Sequence, residues 1–311
     1  MKGPAATASR RAALGAVGGA VVGAAAGCLG GQATAVSLLS AGSLARTFED
    51  HVGPAFEAAT GYRLHGEYYG SNAVMRRVES ETARPDVITS ADATLLRDRL
   101  YGTATDWDVS FATNSLGLAY DAATDLGSRL ADGVPWYEVA AESESGEIAI
   151  SDPDLDPLGY RAVMAFDLAA AEHGLGEFRD TMLQRVYQEP AEPQLLAGIE
   201  SGDRAAAVVY HNMAVEHDLP FIGFPPAYSF GTPAAAERYA TATYTTDDGY
   251  TARGRPVIYN ATVHADATNP TAGRQLVQFL LDNPDLLTDT GLSVGSQLPR
   301  AHGSPPEGLT V

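Results

Sequence analysis

AVSLLSAGSLA, residues 35–45, is the stretch on which the fold turns. Residues 35–40 form a short apolar run with the length and character of a buried strand. The chain then passes through Ala41-Gly42-Ser43-Leu44 into a helical pattern over residues 43–60, with a break expected near Gly53-Pro54 and Gly61 as the stop. Gly42 lets the backbone approach another group closely, and Ser43 is a natural N-cap. The arrangement repeats at once: a strand over residues 62–69, the turn Gly70-Ser71-Asn72, and a helix over 72–82. A third strand at 85–90 and a helix at 93–100 follow. This βαβαβα order predicts a parallel α/β sheet covered on both faces.

FATNSLGLAY, residues 111–120, reads as a longer extended stretch, after which the alternation restarts. A strand at 147–151, helices at 158–173 and 193–201, and a strand at 205–210 follow. PVIYNATV, residues 256–263, is extended again and leads to helices at 271–281 and 284–288. Two α/β units joined by two extended crossings predict a two-lobed protein with a hinge. The first lobe is expected over residues 34–112 with 262–311 returning to it, and the second over 113–261. Each lobe is a mixed sheet flanked by helices, and the ligand site lies in the cleft between them, beyond the carboxyl ends of the strands.

The charge is lopsided. Of 311 residues, 39 are acidic and 20 basic, and Lys2 is the only lysine. Such a surface disfavours nucleic acid and anionic lipid as partners. It fits a protein adapted to high salt, where self-repulsion is screened within about 3 Å at molar concentration.

The N-terminus reads as a targeting segment over residues 1–27. Lys2, Arg10 and Arg11 form a positive head, and an Ala/Gly/Val run follows over residues 12–27. That run is shorter than the ~20 residues of a membrane span. It ends in Ala25-Ala26-Gly27-Cys28, whose small residues before a cysteine resemble a lipoprotein lipobox. Cys28 is the only cysteine, so no internal disulfide can form. Lipid on Cys28 would hold the chain at the outer membrane face, with residues 28–33 as a tether. Arg10-Arg11 resembles a twin-arginine export signal. Removing residues 1–27 takes away three basic residues and no acidic one, which leaves 17 against 39 and a formal charge of −22.

Even so, several features suit an anion. Ser43 and Ser71 stand at two successive strand-to-helix turns, where free N–H groups and partial positive charge bind oxyanions without lysine or arginine. DPDLDPLGYR, residues 152–161, opens the long helix of the second lobe and brings Asp156 or the backbone N–H of Leu158 to the cleft. Glu192 precedes the helix at 193–201, and Tyr210 ends the strand at 205–210, where its hydroxyl can donate.

AGSL, YGSNA, PDVITSAD, FATNSLGLAY, DPDLDPLGYRA and LLAGIESG…VVYHNMAV occur here in one order. Together they resemble the archaeal tungstate/molybdate-binding proteins of ABC importers, over essentially the whole chain after the leader. The resemblance implies a type II periplasmic-binding-protein fold, a bound tungstate or molybdate with no other cofactor, and an ABC permease with a cytoplasmic ATPase as partners of a monomeric receptor. It also implies that Ser43, Ser71, Asp156, the Leu158 N–H, Glu192 and Tyr210 surround the ligand, with Asp156 and Glu192 reaching the metal atom of the oxyanion. The chain departs from the pattern in two places. The segment between Arg161 and Glu192 is shorter than in the family, and Asn212-Met213 replaces a Ser-Val pair.

Two acids around an anion make a physical test of that site. A carboxylate ~4 Å from one ligand charge costs ~4 kcal/mol at an effective dielectric near 20. Two of them against a dianion would cancel most of a nanomolar affinity, about −12 kcal/mol. Sulfate and phosphate are therefore poor ligands for such a site. An oxyanion whose metal centre accepts carboxylate oxygen is a better one.

An enzyme has little to draw on. The seven histidines, His51, His65, His173, His211, His217, His264 and His302, are scattered, and neither a zinc spacing nor a Walker A loop occurs. A receptor for sulfate, phosphate or ferric iron is the stronger alternative; iron would call on Tyr68, Tyr69, Tyr160 and Tyr210 with a carboxylate. Trp107 and Trp136 read as packing residues. Asp247-Asp248-Gly249 reads as a hairpin turn that lacks the ligands of a calcium loop, and Ser304-Pro305-Pro306 as a loose tail.

Overall fold

A computed structural model describes residues 35–311. The expected leader, the tether and Cys28 lie outside the described residues.

The chain starts with β1 (Ala35–Ala41), whose residues are buried on both faces from Leu38 onward, as a central parallel strand requires. A single 3-10 turn, Gly42–Leu44, leads into a π-helical turn, Thr47–Val52, and then α1 (Gly53–Thr60). The helical path therefore runs through Gly53-Pro54 instead of breaking there. Pro54 has no N–H to give, and the Gly53 N–H reaches back five residues to the Phe48 carbonyl, so the wider turn absorbs the proline. Next come β2 (Arg63–Tyr69), α2 (Ser71–Glu79), β3 (Val87–Ser90), α3 (Ala93–Leu100) and β4 (Trp107–Asn114).

The second sheet begins two residues after β4 ends, with β5 (Leu116–Tyr120). FATNSLGLAY is thus two strands in two different sheets, with Ser115 between them. After β5 follow α4 (Asp125–Ala131), α5 (Trp136–Glu142), β6 (Ile148–Ser151), α6 (Pro157–His173), α7 (Phe178–Arg185), β7 (Tyr187–Glu189), α8 (Glu192–Glu200), β8 (Ala206–Tyr210), α9 (His211–Glu216) and β9 (Phe221–Gly223). Past α10 (Ala236–Tyr239), a hairpin of β10 (Thr243–Thr245) and β11 (Thr251–Arg253) turns at Asp247-Asp248-Gly249. Then β12 (Val257–Val263) returns to the first sheet, and α11 (Pro270–Asp282), α12 (Pro284–Thr288) and β13 (Arg300–Gly303) complete the fold.

The first sheet has the order β13-β4-β12-β3-β1-β2 and the second β7-β6-β8-β5-β9. In the first, β2, β1 and β3 run parallel, while β12 is antiparallel to β3 and β4. In the second, β7, β6 and β8 run parallel, and β5 is antiparallel to β8 and β9. The two sheets are alike: three parallel strands from βα units, then an antiparallel strand that carries the crossing. The parallel strands end at Ala41, Tyr69 and Ser90 in one lobe and at Ser151, Glu189 and Tyr210 in the other. Trp136 is buried in the second lobe, donates to the Tyr228 hydroxyl at 3.0 Å and packs on Phe224, while Trp107 is buried in β4. Both tryptophans serve packing, as the sequence suggests.

Candidate functional site

The ends of those parallel strands converge. The 3-10 turn after β1 carries Ser43, whose backbone N–H donates to Glu192 Oε2 across the cleft at 2.9 Å. The Ser43 hydroxyl accepts from the Tyr259 hydroxyl at 3.0 Å, and its carbonyl accepts from Asn212 Nδ2 at 2.7 Å. Ser43 is not the expected N-cap: it sits inside the turn, and Ala41 holds the cap position. Ser71 is not a cap either. Gly70 precedes α2, and Ser71 Oγ accepts the Ala91 N–H at 3.0 Å. Both serine hydroxyls thus use a lone pair on the protein and keep their proton to donate.

On the facing lobe, Asp156 caps α6, its Oδ1 accepting the Leu158 N–H at 3.3 Å. That bond occupies the N–H that the sequence offers to a ligand. Gly159, one turn on, brings α6 close to the end of β6, where a Cβ would stand 2.3 Å from the Ser151 carbonyl oxygen. This is the structural reason for the glycine in the Asp-Pro-rich motif. Glu192 opens α8, and Tyr210 closes β8 with its hydroxyl oxygen accepting from Arg161 Nη1 at 2.9 Å.

Two glycines set how closely the lobes meet. A Cβ on Gly42 would stand 2.6 Å from Glu192 Oε2, and one on Gly70 would stand 2.3 Å from the Leu155 carbonyl oxygen and 2.7 Å from Asp156 Cβ. The Ala73 N–H also donates to that Leu155 carbonyl at 3.1 Å. Ser43 and Glu192 thus bond directly, and the turn that carries Ser71 abuts Asp156.

Asp156 and Glu192 are buried, at 1 % and 0 % exposure. Asp156 Oδ2 and Glu192 Oε1 have no hydrogen-bond partner among the described residues; nor do Ser151 Oγ and both side-chain polar atoms of Asn72. Buried acceptors without donors are costly. Burial lifts the pKa of both acids, and the neighbouring Asp156 charge lifts Glu192 further. The nearby Ser151 hydroxyl, which makes no hydrogen bond of good geometry, offsets part of the rise at Asp156, and Ser43 part of that at Glu192.

Sequence reading passed over the residue that carries the positive charge here. Arg161 is 1 % exposed and bonds Asp92 Oδ2 at 2.8 Å, the Ala91 carbonyl at 3.2 Å and the Tyr210 hydroxyl. Its place in the Asp-Pro-rich motif was the available signal. Asn72, next to Ser71, and Tyr259 and Asn212, which hold Ser43, were likewise missed as site residues. Burial raises Tyr160 and Tyr210 well above the ordinary phenol pKa, and Tyr160 already donates to Asp92 at 2.6 Å. Among the described residues no cluster of three His, Cys, Asp or Glu could hold a metal ion by itself. Next to the site, at Gly42, Ser43 and Pro193, lies a surface groove of about 450 Å³ that also involves Glu49, Tyr68 and Glu216.

Known proteins share this architecture. A periplasmic molybdate-binding protein of Azotobacter vinelandii superposes with a TM-score of 0.61 at 17 % identity, covering 84 % of this chain and all of the other. A sulfate-binding protein of Mycobacterium tuberculosis also gives 0.61, at 14 % identity over 85 % and 88 % of the two chains. At such identities the likeness shows the two-lobed periplasmic-binding-protein fold and no more. Sequence relatives are nearer. An uncharacterised solute-binding protein of Halobacterium salinarum is 50 % identical over 97 % of each chain. A candidate ABC transporter molybdenum-binding protein of Haloferax volcanii is 37 % identical over 96 % of each. A molybdate/tungstate-binding protein of Pyrococcus abyssi is 28 % identical over 82 % and 84 %. The family described as bacterial extracellular solute-binding protein matches residues 36–291, and the chain belongs to it.

Proposed function

We propose that the protein is the receptor of an ABC importer, that it captures tungstate or molybdate between its lobes, and that it presents the ligand to a permease driven by a cytoplasmic ATPase. Asp156 Oδ2 and Glu192 Oε1 carry this reading: two buried carboxyl oxygens in the cleft, without a protein donor. A sulfate ion would add charge to them. The metal centre of tungstate or molybdate accepts oxygen ligands and turns the same pair into a binding device. The Ser43 and Ser71 hydroxyls and the Tyr210 O–H supply donors to the oxyanion's oxygens, and Arg161 brings one buried positive charge. The Leu158 N–H takes part only if it shares its proton with Asp156. Relatives named for molybdenum, molybdate or tungstate support the choice of ligand.

The lobes, expected over residues 34–112 with 262–311 and over 113–261, hinge a few residues from those bounds, where β4 passes into β5 and where the chain enters β12. The protein works as a receptor and not as a catalyst. It is exported, held at the outer membrane face by lipid on Cys28, monomeric, and adapted to salt. Among the described residues no helix is long and apolar enough to cross a membrane.

Calorimetric titration of the purified chain in molar chloride tests the reading. Tungstate or molybdate should bind tightly while sulfate, phosphate and ferric citrate give no response. Asp156→Ala should lose the preference for the metal oxyanions over sulfate. A parent that takes sulfate or phosphate and ignores tungstate would remove Asp156 and Glu192 from the ligand set.

A further inference from the structure

Asp92 follows β3 at the start of α3, and its two oxygens serve different lobes. Oδ1 accepts the Thr94 and Leu95 N–H groups at 3.0 and 3.2 Å and so caps its own helix. Oδ2 accepts from Arg161 Nη2 at 2.8 Å and from the Tyr160 hydroxyl at 2.6 Å, both on α6 of the other lobe. All three side chains are buried. Arg161 further donates to the Ala91 carbonyl on the first lobe and to the Tyr210 hydroxyl on the second.

We propose that Asp92, Tyr160 and Arg161 form the latch that sets the lifetime of the ligand-holding closed form, and that Arg161 at the same time aims the Tyr210 hydroxyl at the ligand. This rests on the reading of the cleft as an oxyanion trap. The bonds to Oδ2 exist only when the lobes meet. With the lobes apart, the carboxylate and the guanidinium are hydrated and independent. Burying the pair costs desolvation, which close geometry repays; burying one member alone leaves an uncompensated charge. Loss of the Asp92 charge therefore falls on the closed form and leaves the separated lobes alone. Because apparent affinity scales with the fraction able to close, ligand retention should follow the latch. Arg161 fixes the Tyr210 oxygen as an acceptor, which leaves its O–H to point at the ligand.

The latch and simple charge make opposite predictions. Removing a negative charge near an anion should tighten binding. Removing the latch should loosen it. Asp92→Asn separates the two, because its amide oxygen can still cap α3 while its NH2 has no lone pair for Arg161 or Tyr160. Stopped-flow association and dissociation of tungstate are measured on the full-length chain in molar chloride, with thermal unfolding of the ligand-free protein alongside. Asp92→Asn should dissociate roughly a hundredfold faster or more, with an association rate within about threefold of the parent and a ligand-free melting temperature little changed. Tyr160→Phe, which leaves the cap untouched, should speed dissociation about tenfold. Tighter or unchanged retention in Asp92→Asn would overturn the latch, as would a loss confined to association. A parent that does not bind tungstate would instead sink the trap reading underneath.

Discussion

Two corners of the first lobe press against the second, and they do so differently. At Gly42-Ser43 the chain makes one 3-10 turn and gives a backbone N–H to the tip of Glu192. At Gly70-Ser71 it starts a regular helix and meets backbone, the Leu155 carbonyl, with Asp156 Cβ beside it. Asp156 is held within its own lobe by the Leu158 N–H, whereas the carboxylate of Glu192 finds its protein donor, the Ser43 N–H, in the other lobe. One acid is thus in place before the lobes meet, and the other is completed by their meeting. The rigid corner fixes the distance of closure, and the soft corner adjusts to it.

The largest expected effect follows from the rigid corner. In Gly70→Ala the new Cβ would stand 2.3 Å from a backbone oxygen that cannot rotate away. Gly70 has φ −55° and ψ 140°, which alanine adopts freely, so the separate lobes should fold as before. Overpacking at the contact itself should cost tungstate affinity about a hundredfold or more. Ligand-induced compaction in small-angle scattering should shrink with it. In Gly42→Ala the nearest atom is the end of a flexible side chain, 2.6 Å away, with Glu192 Cβ at 3.3 Å. A shift of Glu192 can relieve this, though it moves the carboxylate that meets the ligand, so the loss should be smaller than in Gly70→Ala but measurable, roughly tenfold. Equal losses in the two variants, or a milder one in Gly70→Ala, would break the distinction between the corners.

The parts of this arrangement that are legible in sequence are the local ones. Alternating apolar runs and Gly-Ser turns place β1, β2, β3 and the helices after them, and Asp-Pro spacing places the start of α6. Glu192 is found from the helix that follows it. The partners that make the site work are far apart in sequence: Asp92 and Arg161 are 69 positions apart, Ser43 and Glu192 149, and Ser43 and Tyr259 216. No local pattern encodes such pairs: two of them form only when the two sheets meet, and Ser43–Tyr259 only when β12 returns to the first sheet. Local rules also misassign groups when a tertiary partner competes. Ser43 and Ser71 read as caps, but their backbone and hydroxyl groups are taken up by Glu192, Tyr259 and Ala91. The break expected at Gly53-Pro54 fails because a π-turn routes the Gly53 N–H around the proline.

The smallest effect is expected at the rim, where Glu216 at the end of α9 makes a further contact between the lobes. Its Oε1 accepts from the Thr47 hydroxyl at 2.6 Å, its carbonyl from Arg46 Nη1 at 2.5 Å, and its Oε2 from Asn212 Nδ2 at 3.3 Å. Burial pushes its pKa from 4.5 up to about 7, with Thr47 and Arg46 pulling it down and Asp50 adding to the rise. A folded-state pKa above the unfolded one means that the folded protein holds more protons between the two values. The stabilising share is then fully present below pH ~4.5, declines as pH rises through ~7, and is flat above that. Glu216→Gln keeps the size and acceptor of the side chain and removes its titration. The melting temperature of the parent relative to this variant should therefore fall between pH 5 and 8 at constant salt, by ~5 °C or less. The fall should be larger with tungstate bound, because the burial that raises the pKa, and that outweighs the pull of Thr47 and Arg46, is completed when the lobes meet. A difference that stays constant across that range, or that reverses sign, would mean that Glu216 enters the contact already ionised. The rim would then behave like the soft corner at Glu192, adjusting to a closure whose distance Gly70 still sets.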